Sequence, residues 1–375
     1  MKLAILTLPL NYNYGGIMQG YALQRVLTNM GHEAVVLDVP RKREDSISPR
    51  QRVKRWIKKY MLRKEVAPLP MERKYREDCT IMQNTWRFID WYVATRIIHS
   101  FAELREKDYD GYIVGSDQIW RPCYFKGDFQ CGIEQAYLNF AKGWNVKRVV
   151  YAASLGTSDW EYTEGETTLC KELVRDFDAV SVREESSVEL LKEKFGVKAQ
   201  LVLDPTLLLS AEEYINQIGI DKVQPSAGNL FYYFLDDNAQ KQDTVDYLRT
   251  KKSNLIPFTA NGLPEDPEAP IELRIQPPLE QWLRGFYDAE IVVTDSFHGS
   301  VFSIIFGKPF YVLFNERRGN ARIETLLSAF GLEDRIIHSA ADIDRVAQNY
   351  DVMAVKKRLQ ELQQKSMKFL EKSLG

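Results

Sequence analysis

The sequence predicts an α/β protein built on parallel sheets and divided into two domains. Short apolar runs recur along the chain, each followed by a turn of small or polar residues and then a helical pattern, the repeat from which parallel sheets are made. The alternation runs through the first half, pauses at a linker around residues 225–228, and resumes in the second. At 375 residues, 45% hydrophobic and 27% charged, the chain can bury a sizeable core, and its length fits two domains better than one.

Residues 2–8 read as the first strand and residues 18–30 as a helix, with Met18, Tyr21, Ala22, Val26 and Leu27 near helical spacing and Gly31 closing it. Between them lies a polar glycine turn, Asn11-Tyr12-Asn13-Tyr14-Gly15-Gly16, so the opening is that of a Rossmann-like half. The fingerprint GxGxxG is absent, which argues against a dinucleotide. Standing at the top of the first strand, this turn is expected to contact ligand, with a plain tight turn as the alternative.

A strand over 33–38 leads into residues 41–76, which hold 14 Lys or Arg against four acids. Within it Val53, Trp56, Ile57, Tyr60 and Met61 repeat at helical spacing, while Arg52, Lys54, Arg55, Lys58 and Lys59 cover the other face. Two readings stand side by side: an interfacial helix on an anionic membrane through residues 50–62, or a core-packed helix with a solvated basic face. Pro68 and Pro70 break the segment, and Trp86, Phe88, Ile89, Trp91 and Tyr92 mark another apolar helix.

Residues 110–122, DGYIVGSDQIWRP, give a strand ending in a Gly-Ser-Asp turn. Asp117, Gln118 and Trp120 together suit a sugar, since a carboxylate and an amide hydrogen-bond hydroxyl groups while an aromatic face covers the apolar side of a pyranose. Residues 148–154 form a strand that stops at Ser154-Leu155-Gly156-Thr157, residues 178–184 place Arg183 at a strand end, and residues 200–206 close the first sheet.

The second half holds a helix from Ala211, strands over 230–235 and 255–258, a proline-rich turn over 262–270 and a helix over 279–286. Residues 290–313, EIVVTDSFHGSVFSIIFGKPFYVL, then read as strand, helix and strand, with Asp295 to Ser300 on the strand-to-helix turn. Helix N-termini beyond strand ends favour anions, so Asp295, Ser296, His298 and Ser300 crowd where a phosphate or carboxylate would bind. The competing reading makes His298 only a partner of Asp295. The basic loop 315–322 runs into a helix over 323–330, with Gly319 or Asn320 as N-cap. A long helix over 352–374 ends the chain.

Net charge is -2, so no overall field argues for nucleic acid. The N-terminal apolar run is too short for a signal peptide and no stretch reaches a membrane-spanning length, which points to the cytoplasm. Cys79, Cys123, Cys131 and Cys170 have no CxxC spacing and the four histidines are scattered, arguing against disulfides and zinc.

Six pieces, Asn13-Tyr14-Gly15-Gly16, Gly115-Ser116-Asp117-Gln118-Ile119-Trp120, Tyr151-Ala152-Ala153-Ser154-Leu155-Gly156, Ser181-Val182-Arg183-Glu184, Leu203-Asp204-Pro205-Thr206 and Thr294-Asp295-Ser296-Phe297-His298-Gly299, in that order and spacing, resemble the polysaccharide pyruvyl transferase family. The resemblance covers roughly residues 1–335 and implies two Rossmann-like domains facing each other across a cleft, as in GT-B glycosyltransferases. It implies residues 1–209 as an acceptor domain, 210–350 as a donor domain, and 351–375 as a helix packing back on the first. The implied reaction transfers pyruvate from phosphoenolpyruvate, with no other cofactor, to a glycan or lipid-linked oligosaccharide, often as a 4,6-ketal, in the cytoplasm or at the inner face of the membrane.

On this resemblance His298 and Asp117 are the catalytic residues, His298 binding or protonating the departing phosphate or taking a hydroxyl proton, Asp117 as the alternative base. Arg183, Arg322, Ser296, Gly299, Ser300 and Asn320 are expected to bind the donor, and Asn13, Tyr14, Gly15, Gly16, Gln118 and Trp120 the acceptor, with no metal. Many relatives carry Arg-Leu-His where this chain has Ser296-Phe297-His298, so the missing charge must come from Arg183 or Arg322. For Arg183 the alternative is a surface salt bridge with Glu184 or Glu185. A nucleotide-sugar glycosyltransferase of the same architecture and a non-catalytic glycan or anion binder are the rival functions.

Overall fold

The computed structural model describes residues 1–41, 49–61, 63, 69–263, 266–315 and 321–375. Two parallel sheets form its framework. The first contains β1 (Lys2–Leu6), β2 (Glu33–Asp38), β3 (Thr95–Ile97), β4 (Gly111–Val114), β5 (Lys147–Ala153), β6 (Ala179–Val182) and β7 (Gln200–Leu201), in the order β3-β2-β1-β4-β5-β6-β7. The second contains β8 (Leu230–Tyr233), β9 (Pro257–Phe258), β10 (Ile291–Thr294), β11 (Phe310–Leu313) and β12 (Ile336–Ile337), in the order β12-β11-β10-β8-β9. Central strands such as β4 and β10 are buried along their whole length, as helices on both faces of a parallel sheet demand. Neither β3 nor the helix Pro122–Phe129 stands out in the sequence.

Each sheet has one place where the strand order reverses, between β1 and β4 in the first and between β8 and β10 in the second. The loops diverging there open a crevice at the carboxyl ends of the strands. Those of the first are the turn after β1 and Gly115 to Gln118; those of the second are the turn after β8 and Asp295 to His298.

Aromatic packing ties the two halves together. Tyr14, on the first helix, packs 5.5 Å from Trp282 and 6.4 Å from Tyr233 between ring centroids, and its hydroxyl donates to the Pro277 carbonyl at 2.5 Å. The helix Val352–Leu374 crosses back to the first sheet: Ser366 Oγ accepts from Leu203 N–H at 3.0 Å, Gln363 donates to the Leu207 carbonyl, and Phe369 packs on Tyr151. Its buried residues Val355, Ser366, Phe369, Leu370, Ser373 and Leu374 keep one helical face, and each large apolar side chain buried there contributes about 1.5–3 kcal/mol.

The segment after β2 departs from a packed helix. Residues Pro49–Trp56 are α-helical and Ile57–Met61 continue as a π-helical turn, with Val53, Trp56, Tyr60 and Met61 each more than half exposed. The core-packed reading of this segment therefore fails. Among the described residues no helix is long and apolar enough to cross a membrane, and no group of His, Cys, Asp and Glu is placed to hold a metal ion.

Candidate active site

The first helix begins at Tyr14, four residues earlier than its hydrophobic pattern indicates, because the Asn13 side chain accepts the Gly16 N–H at 3.2 Å and caps it. Tyr14, Gly15 and Gly16 are thus helix rather than loop. Ser296 caps the facing helix Phe297–Ile305 in the same way, accepting the Gly299 N–H at 3.3 Å. The two helix starts meet at His298. A Cβ placed on Gly15 would lie 2.0 Å from His298 Nδ1, so only glycine lets the imidazole reach this joint.

Behind His298 lies a buried charge cluster. Arg183 donates to Asp117 Oδ1 at 2.6 Å and to Asp204 Oδ2 at 2.5 Å, and its side chain is 1% exposed. Burial alone would raise the Asp117 carboxyl, but Arg183, His298 and Arg322 outweigh it and hold the group below its ordinary value. Asp204 is driven well below the carboxylate range: burial opposes this, but His298, Arg183 and Thr206 prevail. Arg183 itself is desolvated, yet Asp117, Asp204 and Glu184 keep it protonated above the usual guanidinium value. His298 Nε2 stands 3.8 Å from Asp204 Oδ2, too far for a hydrogen bond, and has no hydrogen-bond partner among the described residues.

Arg322 completes the cluster from the second domain. Its guanidinium carbon is 5.8 Å from the Phe297 ring centroid, and that of Arg183 is 4.6 Å from the same ring. Burial first, and the neighbouring Arg183 second, push the Arg322 pKa down to about 10. An anion placed between these cations would relieve that electrostatic cost.

Two cavities adjoin the cluster. One of about 530 Å³ opens at the carboxyl ends of β1, β2 and β4 and is lined by Asn13, Gly16, Asp117 and Gln118 together with Asp38, Arg41, Tyr75, Trp86 and Tyr124. The other, of about 40 Å³, lies between the domains against Ser296, His298, Asn315 and Arg322. Asn13, Asp117, Gln118 and Tyr124 line both, so the cavities are neighbours.

Several expected assignments are corrected here. Trp120 has no exposed surface: it stacks on Tyr137 at 4.6 Å, and its Nε1 donates to the Ala136 carbonyl, so its ring is core and unavailable to a sugar. Tyr14 is spent on the domain joint, and Gly15 lies against His298. Gly299 abuts Thr294 and gives its N–H to Ser296, while Ser300 Oγ donates to the Ser296 carbonyl; neither offers a polar group to a donor. Asp117 is held ionised by Arg183 and makes a weak base. Arg183 is a buried strut between two aspartates, and its pairing with Glu184, 3.9 Å from Nε, is buried rather than at the surface. Asp295 does not partner His298; it accepts from Lys241 at 2.6 Å, from Asn315 at 3.0 Å and from the N–H groups of Leu235 and Asp236. Asn320 lies outside the described residues.

Asp204 had a sequence signal, its place at a strand end, but no assigned role. Asp38 likewise stands at the end of a strand read from the sequence, and Tyr124 had no signal, because the residues it joins at the cavities come from distant elements.

The sequence profile of the polysaccharide pyruvyl transferase family matches residues 13–316. The chain belongs to this family. It is accordingly a transferase. Solved structures similar in fold include sucrose-phosphate synthase from Thermosynechococcus elongatus, with a TM-score of 0.50, 12% identity and coverage of 99% of this chain and 97% of that one. Heptosyltransferase WaaC from E. coli is also similar, with a TM-score of 0.40, 14% identity and coverage of 96% and 100%. The architecture is the GT-B arrangement of two facing Rossmann-like domains. No curated protein aligns significantly with the chain.

Asp38 supplies a pH test of the larger cavity. Burial pushes its pKa up to about 6, only partly offset by the N–H groups of Val39 and Leu10 and by Arg41. A raised carboxyl contributes stability that is present below its unfolded value of about 4 and lost as pH rises through about 6. Both N–H groups bond to Oδ1, so Asp38→Asn preserves them. The variant should gain about 3 kcal/mol on wild type between pH ~4 and pH ~7, measured by urea unfolding at each pH; parallel pH profiles would remove the assignment.

Proposed function

We propose that this protein transfers the pyruvate moiety of phosphoenolpyruvate onto a sugar as a ketal, on a galactose-type 4,6-diol of a lipid-linked surface-polysaccharide precursor, with no further cofactor. The observation that carries the reading is His298, whose unpartnered Nε2 sits beside Arg322 in the small interdomain cavity, next to a second cavity large enough for a sugar. The larger cavity mixes carboxylate, amide and aromatic groups, the combination that recognises hydroxyl-bearing rings. The smaller one holds about one or two waters, so the donor enters as the domains part at the Gly15 and His298 contact.

Ketal formation adds a proton to the methylene carbon of the donor, joins one sugar oxygen to the adjacent carbon, expels phosphate and then joins the second oxygen. Two hydroxyl protons are released, and one is needed at the methylene carbon; the other leaves with phosphate. Arg322 meets the anionic donor and stabilises charge on the departing phosphate. His298 receives a hydroxyl proton or hands one to the phosphate, and Asp204 beside it stabilises the imidazolium formed in between. Arg183, neutralised by Asp117 and Asp204, holds the geometry of the cluster.

Thermal unfolding with and without ligands tests the reading. Phosphoenolpyruvate at about a hundred times its dissociation constant should stabilise the fold by about 2.7 kcal/mol while nucleoside diphosphates leave it unchanged. The reverse result would establish the rival nucleotide-sugar glycosyltransferase. Incubation with phosphoenolpyruvate and a galactoside, followed by mass spectrometry, identifies the ketal directly.

A further inference from the structure

We infer that residues 49–61 form a docking surface for an anionic lipid bilayer. Six basic residues, Arg50, Arg52, Lys54, Arg55, Lys58 and Lys59, fall within these thirteen positions, and no acidic residue does. The whole chain carries a net charge of -2, so this positive field is local. Apolar side chains emerge among the charges: Val53 and Trp56 are each 57% exposed, Tyr60 60% and Met61 68%. Trp56 and Tyr60 pack together at 5.9 Å, presenting two amphipathic rings side by side.

Water is a poor environment for this surface, and the bilayer interface satisfies both of its components. Aromatic and aliphatic side chains enter the boundary between headgroups and acyl chains while the lysines and arginines meet anionic headgroups. A second copy of the chain is a worse occupant, because a symmetric contact would bring two clusters of six like charges together. The place of the segment along the sequence fits the same occupant. In the sequence, residues 49–61 fall between Arg41 and Met71, which both line the larger cavity. A sugar attached to a membrane lipid would be delivered at that cavity.

For its purpose this surface rests on the lipid-linked acceptor reading, but lipid binding is measurable without any substrate. The full chain should co-sediment with vesicles of phosphatidylcholine containing about a third phosphatidylglycerol and remain in the supernatant with phosphatidylcholine alone. Raising the salt from about 50 mM to about 500 mM should reduce partitioning by about tenfold or more. Trp56→Ser with Ile57→Ser, and separately Lys58→Glu with Lys59→Glu, should each reduce it by a similar factor. Both double variants should keep wild-type transfer to a water-soluble galactoside, so loss of vesicle binding with intact transfer isolates the surface from the chemistry. Wild-type protein that ignores anionic vesicles at low salt, or variants that bind as well as wild type, would overturn the inference. So would sedimentation velocity showing a wild-type dimer without lipid that becomes monomeric in the Trp56→Ser, Ile57→Ser variant, because the occupant would then be a second copy.

Discussion

His298→Ala should lower pyruvyl transfer by about two to four orders of magnitude while the chain remains folded. The imidazole makes no hydrogen bond through Nε2 and stands at a joint lined by Gly15, so its removal opens space at the interdomain contact, and Arg183 and Thr206 still bond the buried Asp204 beside it. Circular dichroism and the unfolding midpoint should stay close to wild type. The kinetics separate the two roles. If the residue exchanges a proton in the transition state, kcat and kcat/KM fall together; if it only binds donor phosphate, KM rises with kcat little changed. A folded variant with near wild-type transfer would defeat the assignment altogether.

Arg183→Met should destabilise the fold by about 3–5 kcal/mol and reverse the sign of one part of its pH dependence. In the wild type the guanidinium is nearly inaccessible and bonded to both Asp117 and Asp204. Their pKa values lie below the ordinary range, so their contribution is present above the unfolded value of about 4 and is lost only as acid carries the pH down through the folded values. Without the guanidinium, burial becomes the leading influence and raises both carboxyls. Their contribution then declines as pH rises from about 4 towards neutrality. Urea unfolding of wild type and variant at pH ~4 and ~7 reads the difference. A variant that tracks wild type at both values would mean that the cluster is not the strut described. Arg183→Lys should fall between the two, since lysine keeps the charge but cannot span two carboxylates with a planar fork.

The strand and helix alternation was legible because burial imposes it locally. A strand covered on both faces must be apolar throughout, as in Ile291 to Thr294, and a helix packed on one face must repeat its apolar residues, as in Val355 to Leu374. Strand-end positions were equally legible, which is why Asp117, Arg183 and His298 could be singled out as residues brought to one place. Cap chemistry was harder to read: Asn13 and Ser296 are ordinary polar residues until their side chains meet an N–H three residues on, and this moved Tyr14 to Gly16 from loop to helix.

By itself, the sequence determined the fold class, the family and the positions that gather at the strand ends, because these follow from local periodicity and from short motifs whose order along the chain is preserved. Only the tertiary structure decided what each of those positions does. Gln118 and Trp120 are neighbours in the chain, yet one lines the cavities and the other is sealed in the core against Tyr137, since the turn sends their side chains to different environments. Arg183 and Arg322 look alike as loop arginines, but one is neutralised by two aspartates and the other has its pKa lowered by burial first and by Arg183 second. Charge balance and burial are properties of neighbours in space: Asp117, Arg183 and Asp204 meet at strand ends of the first sheet, and His298 and Arg322 join them only when the two sheets close on each other.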